Sequence, residues 1–481
     1  MCSVSSPIQD KIKSFEGDYF MYKIDFQSPV HVHFIGIGGI SMSGLAAILL
    51  DRGFTVSGSD RGESDLTKWL TSSGAKIFYG QKAENIEDSI DLVVYTAAIH
   101  PDNPEYAECV RRGLPMLTRA ELLGQLMTNY QLPIAISGTH GKTTTTSMVS
   151  HILLAADTDP TISVGGILPA IHGNIRVGSD RIFVTEACEY TNSFLDFFPK
   201  ISIILNIDAD HLDFFKDLDD IRHSFRLFAE KLPSDGTLII NKAIPNVEAI
   251  TSGLNCKVVY YDMDASAQAD YYAANISYDA LACGSFDLMH GSEHMGHFVL
   301  HVPGSHNVDN AVAALALADL IGIPVADMQK GLNEFGGTER RFQHKGEIGG
   351  VTIVDDYAHH PTEIRATLQA AQKCEHHTLW CVFQPHTYTR TKALMDDFAS
   401  ALSLADKVVL ADIYAARETD TLGISSQTLQ QKLLDLGCEA YYFPSFDEIE
   451  TFLLENCTQG DLLITMGAGD IVKVGENLLG K

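Results

Sequence analysis

The chain has 481 residues, too many for one ordinary hydrophobic core, so two to four domains are expected. Its 34 Lys and Arg against 62 Asp and Glu give a net charge of −28, which repels nucleic acid and anionic membranes. This charge leads us to expect no nucleic-acid partner. No apolar run reaches transmembrane length, so we also expect no membrane insertion. The nine cysteines are scattered without a C-x-x-C pair, which favours reduced thiols in the cytoplasm. Residues 1–16 are expected to form a loose leader.

The first block of the chain has the pattern of a βαβ unit. An apolar strand ending at Ile35 is followed by a glycine-rich turn and a helix through Leu50. Further strands are predicted at 54–60 and 91–99, and a helical segment leads to a boundary near Asn129.

Two more blocks repeat the alternation of strands and helices. In the second block, strands are predicted at 132–137, 181–187, 201–207, 236–242, 256–262 and 297–304, with a helix at 307–322. In the third block, strands are predicted at 350–358, 378–385, 406–413 and 461–470. This alternation predicts an α/β protein with a mostly parallel sheet in each block. The domain boundaries that we expect are 1–128, 129–337 and 338–481.

The stretch "GTHGKTTTT" after the strand at 132–137 has the features of a phosphate-binding loop. A full P-loop would carry its first glycine where this chain has Ile136, so the loop is shorter than usual. Small residues let backbone N–H groups and a helix N-terminus face an anion. Lys142 would reach the β- and γ-phosphates, and Thr143 or Thr144 would bind Mg²⁺. The alternative is a plain glycine turn that caps a helix.

Magnesium needs more ligands than one hydroxyl group. Glu186 ends the strand at 181–187, and His211 follows the strand at 201–207, so both should lie at the carboxyl edge of the sheet beside the loop. His211 could equally be a surface or capping residue.

The glycine-rich turn of the first block suggests a second phosphate site. Gly36, Gly38 and Gly39 would allow a diphosphate to approach the backbone closely at a helix start. Strict G-x-G-x-x-G would need glycine at Ser41, so the dinucleotide fingerprint is incomplete. Asp60, at the end of the next strand, is suited to a ribose hydroxyl. With an ATP loop in the second block, this turn indicates a nucleotide-linked substrate, although a glycine cluster used only for packing is the alternative.

Together these stretches resemble the Mur ligases of peptidoglycan synthesis over about residues 31–470. The matching stretches are "HFIGIGGISMSGLA", "GTHGKTTTT", "NIDADHLDFF", "HNVDNAVAALALA", "ERRFQHKGE", "DDYAHHPTEI", "FQPHTYTRT" and "DIYAARE". The resemblance implies an N-terminal Rossmann-like domain for a UDP-sugar, a central P-loop ATPase-like domain and a C-terminal Rossmann-like domain for the amino acid. It implies ATP- and Mg²⁺-dependent formation of an amide between L-alanine and the lactyl carboxylate of UDP-N-acetylmuramate, through an acyl phosphate.

The resemblance also implies roles for individual residues. ATP would be bound by Gly138, Thr139, His140, Gly141, Lys142, Thr143, Thr144, His306, Asn307, Asn310, Arg340 and Arg341. The UDP-sugar would be bound by Gly36, Gly38, Gly39 and Asp60, the metal by Thr143, Glu186 and His211, and the amino acid by Tyr357, His359, His386 and Arg390. The residues expected to act in the chemistry are Lys142, His359, His386 and Arg390, with Asp355 and His360 on the same face. The sequence leaves open which histidine accepts the amine proton, and "EACEYTNSF" and Thr387 depart from the pattern of many Mur ligases.

Three other functions remain open from the sequence. A sibling ligase would attach a preformed murein peptide to the same UDP-sugar, and shares nearly every motif. A nicotinamide-dependent oxidoreductase built on the first glycine turn would bind NAD(P)H without ATP turnover. A nucleotide-binding regulatory protein would carry out no chemistry. The sequence also leaves open whether the chain forms a homodimer, whether it selects alanine over glycine or serine, and whether a lysine such as Lys216 is carbamylated.

Overall fold

The computed structural model describes residues 22–481 except Ala97, Asp213, Arg417 and Thr421. The predicted leader at 1–16 lies outside the described residues. The described residues form three sheets, one in each predicted block, with helices between the strands. The predicted α/β class with mostly parallel sheets is therefore confirmed.

The first sheet is entirely parallel and has the order β3-β2-β1-β4-β5. Its strands are β1 (His31–Ile35), β2 (Thr55–Asp60), β3 (Lys76–Tyr79), β4 (Leu92–Tyr95) and β5 (Met116–Thr118). Its helices are α1 (Ile40–Asp51), α2 (Asp65–Ser72), α3 (Pro104–Arg112) and α4 (Arg119–Met127). Strand order reverses between β1 and β4, which is where open α/β sheets bind ligands. The glycine turn after β1 lies at this position.

The central sheet has the order β15-β14-β13-β12-β11-β10-β6-β9-β7-β8. Its strands are β6 (Leu132–Ser137), β7 (Thr161–Leu168), β8 (Gly173–Arg176), β9 (Ile182–Ala187), β10 (Ile201–Ile204), β11 (Thr237–Asn241), β12 (Lys257–Asp262), β13 (Tyr271–Tyr278), β14 (Cys283–His290) and β15 (Glu293–Pro303). Its helices are α5 (Lys142–Ala155), α6 (Leu218–Glu230), α7 (Glu248–Thr251), α8 (Ser305–Leu320) and α9 (Val325–Glu334). β6 pairs in parallel with β9 and β10, so the phosphate loop emerges between two strand ends. Antiparallel pairs complete both ends of the sheet.

The third sheet has the order β16-β17-β21-β18-β19-β20, and β16 is its antiparallel edge. Its strands are β16 (Gln343–Ile348), β17 (Val351–Asp356), β18 (Leu379–Phe383), β19 (Lys407–Leu410), β20 (Glu439–Tyr442) and β21 (Leu462–Met466). Its helices are α10 (Pro361–Ala371), α11 (Tyr388–Ala393), α12 (Met395–Leu402), α13 (Ser426–Asp435), α14 (Phe446–Asn456) and α15 (Val472–Leu478). None of the described helices combines the length and apolar character needed to cross a bilayer.

The first block packs tightly on the central one through small residues. A Cβ on Gly124 in α4 would lie 1.9 Å from the carbonyl oxygen of Asp196, and one on Gly44 in α1 would lie 2.2 Å from a side-chain carbon of Ile175. Only glycine permits these approaches. One hydrophobic cluster accordingly runs from the first sheet to a face of the central sheet.

Candidate active site

The phosphate loop adopts a backbone that only glycine tolerates. Gly138 and Gly141 have φ values of +147° and +85°, a region that is costly for other residues. A Cβ on Gly141 would lie 2.6 Å from Oδ1 of Asn310, and one on Gly138 would lie 2.9 Å from Cβ of Leu205. The loop is therefore wedged between β10 and α8, at the start of α5.

Lys142 is paired with a carboxylate that sequence reasoning missed. Its Nζ donates to the carbonyls of Gly138 and Thr139 and, at 3.0 Å, to Oε2 of Glu189. Glu189 is only 2% exposed, and its other oxygen has no hydrogen-bond partner among the described residues. Burial by itself would lower the pKa of Lys142, but the Glu189 carboxylate raises it above its ordinary value. The only available signal for Glu189 was its position just beyond the end of β9.

Two of the three predicted magnesium ligands contact each other. Thr143 donates through Oγ1 to Oε2 of Glu186 at 3.1 Å, and Oε1 of Glu186 accepts from the backbone N–H of Gly165 at 2.6 Å. Nε2 of His211 lies instead 3.9 Å from Oε1 of Glu189, and its ring stacks on Tyr190 with centroids 4.5 Å apart. His211 thus joins this cluster through Glu189.

A cavity of about 280 Å³ extends from the phosphate loop to the third block. Predicted ATP-binding residues that line it are His140, Gly141, Thr144, His306, Asn307, Asn310 and Arg341. Residues that line it without having been predicted include Asn206, Asp208, Asp309, Asp356 and Glu363. Nδ2 of Asn310 donates to Oδ1 of Asn307 at 3.3 Å, and Asn307 donates to the carbonyl of Pro303 at 2.8 Å, so both amides are held in place. Burial raises the pKa of Asp309 to about 7.

His140 connects the phosphate loop to the third block. Its Nε2 lies 3.4 Å from Oδ2 of Asp208, and its Nδ1 lies 3.4 Å from Oε1 of Glu363. Burial lowers the pKa of His140, but hydrogen bonds to these carboxylates outweigh burial and raise it to about 9. Its ring also packs against His360 of the third block, with centroids 4.8 Å apart.

The adjacent arginines of the linker have different surroundings. Arg341 lines the nucleotide cavity, with Nη1 3.7 Å from Oε1 of Glu363. Arg340 does not line it: its guanidinium donates to Oδ2 of Asp355 at 3.0 Å and to the carbonyls of Gly467 and Gly469. These hydrogen bonds hold the Arg340 side chain at the carboxyl ends of β17 and β21, away from the nucleotide cavity.

Arg390 makes an ion pair between the third block and the central one. Its Nε and Nη2 donate to Oδ1 of Asp210 at 3.1 and 3.0 Å, and both side chains are nearly buried. The guanidinium, together with neighbouring histidines, outweighs burial and holds the pKa of Asp210 well below its usual range. Arg390 and His211 line a second cavity of about 190 Å³, together with Thr387 and Tyr190.

The two predicted catalytic histidines lie close together. Their rings are 5.8 Å apart, and Tyr357 packs edge-on against His359. Nδ1 of His386 is 3.2 Å from Nη1 of Arg390, so the arginine donates to it. Nδ1 of His359 is 3.1 Å from the carbonyl of Tyr357, which leaves Nε2 without a hydrogen-bond partner among the described residues. Burial lowers the pKa of His359 to about 4.

The glycine turn of the first block borders a separate cavity of about 580 Å³. Gly36, Gly38, Gly39 and Asp60 all line it. Oδ2 of Asp60 accepts from the backbone N–H of Gly38 at 2.8 Å, so Asp60 supports the turn as well as facing the cavity.

Comparison with known proteins places the whole chain in one family. Residues 31–131 match the description "Mur ligase family, catalytic domain", residues 136–318 "Mur ligase middle domain" and residues 340–469 "Mur ligase, glutamate ligase domain". The chain is 62% identical over 461 residues to a UDP-N-acetylmuramate–L-alanine ligase of Agathobacter rectalis, covering 96% of this chain and all of the relative. It is 55% identical to the protein of that name from Lachnoclostridium phytofermentans, covering 96% of this chain and all of the relative.

Solved structures agree with this assignment. A UDP-N-acetylmuramate–alanine ligase of Thermotoga maritima has a TM-score of 0.76 at 30% identity, covering 94% of this chain and 98% of that one. A murein peptide ligase of Psychrobacter arcticus has a TM-score of 0.67 at 25% identity, again covering 94% and 98%. The likeness to both proteins extends over nearly the full chain, which therefore belongs to the Mur ligase family.

Proposed function

We propose that this chain uses ATP to join L-alanine to the lactyl carboxylate of UDP-N-acetylmuramate, the first peptide-adding step of peptidoglycan precursor synthesis. The observation that carries this proposal is the 62% identity, over nearly the full chain, to a ligase of that name. The surroundings of Lys142 add support, since its ammonium and the Thr143–Glu186 pair lie at the carboxyl edge of the central sheet. Family membership leaves the oxidoreductase and purely regulatory alternatives without support.

The reaction needs an activated carboxyl group because a carboxylate oxygen is a poor leaving group. The lactyl carboxylate attacks the γ-phosphorus of ATP, the bond to the β-phosphate oxygen breaks, and an acyl phosphate and ADP form. The amine of L-alanine then attacks the acyl carbon, inorganic phosphate leaves, and the nitrogen loses a proton. Lys142 would neutralise charge on the transferred phosphoryl group, as in other phosphate-loop enzymes.

The residues beside Lys142 are suited to Mg²⁺, which prefers oxygen ligands. Thr143 and Glu186 contribute a hydroxyl and a carboxylate 3.1 Å apart. We propose Thr143, Glu186 and His211 as the residues that hold the ion, whereas Glu189 is the counter-charge of Lys142. When bound, Mg²⁺ would neutralise phosphate charge during transfer.

We propose His359 as the acceptor of the amine proton. Its Nδ1 faces the carbonyl of Tyr357, so Nε2 has a lone pair available to the amine proton. His386 is less suitable because Arg390 donates to its Nδ1. Arg390 would position the amino acid, and its ion pair with Asp210 would keep water out of the site by holding the third block closed.

A phosphate-release assay with UDP-N-acetylmuramate, MgATP and L-alanine tests the function. We expect release only when all three are present, and none from Lys142→Ala. The matched control is Lys432→Ala, an exposed lysine on α13 that pairs with Asp396, which should keep full activity. Release without a sugar nucleotide would contradict the proposal. Faster release with a preformed murein peptide than with L-alanine would identify the sibling activity instead.

Three further proposals concern the chain as a whole. The domain boundaries 1–128, 129–337 and 338–481 are supported by the limits of the three sheets. A cytoplasmic location is supported by cysteines that are unpaired throughout the described residues. A homodimer remains a proposal to be tested by measuring the mass in solution.

A further inference from the structure

Three side chains with metal-binding chemistry meet where the third block contacts the phosphate loop. They are His140 from the loop, Asp208 from the segment after β10, and His360, the residue that caps α10. One nitrogen or oxygen from each lies within 4.8 Å of the others. The proposed magnesium ligands Thr143, Glu186 and His211 are different residues, so they do not explain this group.

We propose that His140, Asp208 and His360 bind a transition-metal ion of the zinc type, which fastens the third block to the phosphate loop. Two imidazoles and one carboxylate suit Zn²⁺ or Co²⁺, whereas Mg²⁺ is held mainly by oxygen ligands. Three protein ligands leave the fourth tetrahedral position to water.

The separation of two of the ligands already fits such an ion. Nε2 of His140 and Oδ2 of Asp208 are 3.4 Å apart. Zinc bonds of 2.0–2.1 Å at tetrahedral angles place neighbouring ligand atoms about 3.4 Å apart. The ring of His360 would have to move by up to about 1.4 Å, because the largest separation in the group can reach 4.8 Å.

The residues around the cluster would orient its ligands. Oε1 of Glu363 lies 3.4 Å from Nδ1 of His140, the carboxylate–histidine arrangement that fixes a ligating ring. Thr362 donates to Asp208 at 2.6 Å, which positions the carboxylate. The contact between Nε2 of His360 and the carbonyl of Ala209, at 3.1 Å, would be given up if that nitrogen bound the metal. A histidine nitrogen must be unprotonated to bind a metal ion, so affinity should rise with pH.

The ligands come from two blocks, so metal binding and closure should be coupled. His140 and Asp208 belong to the central block, whereas His360 belongs to the third. An ion that binds only when all three meet stabilises the closed arrangement by mass action. This inference does not depend on which substrates the enzyme uses.

The test is a titration of the full-length chain with Co²⁺, without nucleotide or Mg²⁺, at about pH 8, where an imidazole ligand is more readily deprotonated. Visible absorption of Co²⁺ should reveal one saturable site. Zn²⁺ should displace the bound Co²⁺ from this site, whereas excess Mg²⁺ should not. Removing a ligand with His360→Gln or Asp208→Asn should weaken Co²⁺ binding at least tenfold. Glu363→Gln removes the carboxylate that orients His140, and it should weaken Co²⁺ binding about tenfold. Circular dichroism and melting temperature would establish that each variant is folded.

The matched control is an exposed histidine on β15. His297 lies 2.8 Å from Asp287, with His294 also near that carboxylate, so this pair is the rival surface site for Co²⁺. His297→Gln should leave Co²⁺ affinity unchanged. If His297→Gln removed the absorption, or if folded His360→Gln and Asp208→Asn both bound Co²⁺ as tightly as the parent chain, the proposal would be overturned.

Discussion

Replacing Glu189 with glutamine tests whether this buried carboxylate is the counter-charge of Lys142. Oε2 of Glu189 accepts from the ammonium at 3.0 Å, and the side chain is 2% exposed. Glutamine keeps an acceptor oxygen and the shape of the side chain but removes the charge. A hydrogen bond between charged partners contributes about 1.5–3 kcal/mol, so Glu189→Gln should lower the free energy of unfolding of the central block by about 2 kcal/mol.

Thermal melting monitored by circular dichroism measures this loss. For a domain of this size, about 2 kcal/mol corresponds to a fall in Tm of about 4–8 °C. MgATP should restore much of the loss, because a phosphate can replace the carboxylate as the partner of Lys142. The loss of about 2 kcal/mol then applies to the free variant but largely not to its nucleotide complex. MgATP should therefore bind up to about thirtyfold more tightly to the variant than to the parent chain.

The matched control is Glu230→Gln on α6. Glu230 pairs with Arg226 at 2.7 Å but is 47% exposed, so its loss should change the free energy of unfolding by less than about 0.5 kcal/mol. If Glu189→Gln melted at the same temperature as the parent chain and bound MgATP no more tightly, Glu189 would not be the counter-charge of Lys142.

Three further variants test other contacts. Gly141→Ala should weaken MgATP binding about tenfold, as measured by calorimetry. Strain at positive φ costs about 1–2 kcal/mol, and the added Cβ would meet α8. The control is Gly322→Ala, at φ +80° in open space, which should leave MgATP binding unchanged. Asp309 has a folded pKa raised to about 7, so its ionisation reduces stability as pH rises from the unfolded pKa near 4 through 7. In urea denaturation, the stability advantage of Asp309→Asn over the parent chain should therefore be larger at pH 8 than at pH 5 by about 2.5 kcal/mol. An equal advantage at both pH values would contradict this reasoning. Arg390→Lys loses the paired donation to Asp210, so phosphate release should show a ten- to hundredfold lower kcat/KM for L-alanine. MgATP affinity should be unchanged, and weaker MgATP binding would contradict a role confined to the amino-acid side of the site.

Local sequence determined the central strands and the phosphate loop. The apolar run 132–137 became β6 with the predicted bounds, because helices cover both faces of a parallel strand and leave it continuously buried. The glycines of the phosphate loop and the start of α5 after them are also recognisable from neighbouring residues alone. The strands β13 and β14 near one end of the central sheet were not predicted, since their alternating pattern acquires meaning only when a neighbouring strand is known.

Only the tertiary structure decided which charged groups meet. Arg340 and Arg341 are adjacent in sequence, yet one is held at the edge of the third sheet and the other lines the nucleotide cavity. Arg390 pairs with Asp210 across 180 positions of the chain. A hydrophobic period or a glycine turn reflects interactions within a few residues, whereas such pairing depends on how two separately formed sheets pack together. That is why the sequence could identify the residue types of the site but not their partners.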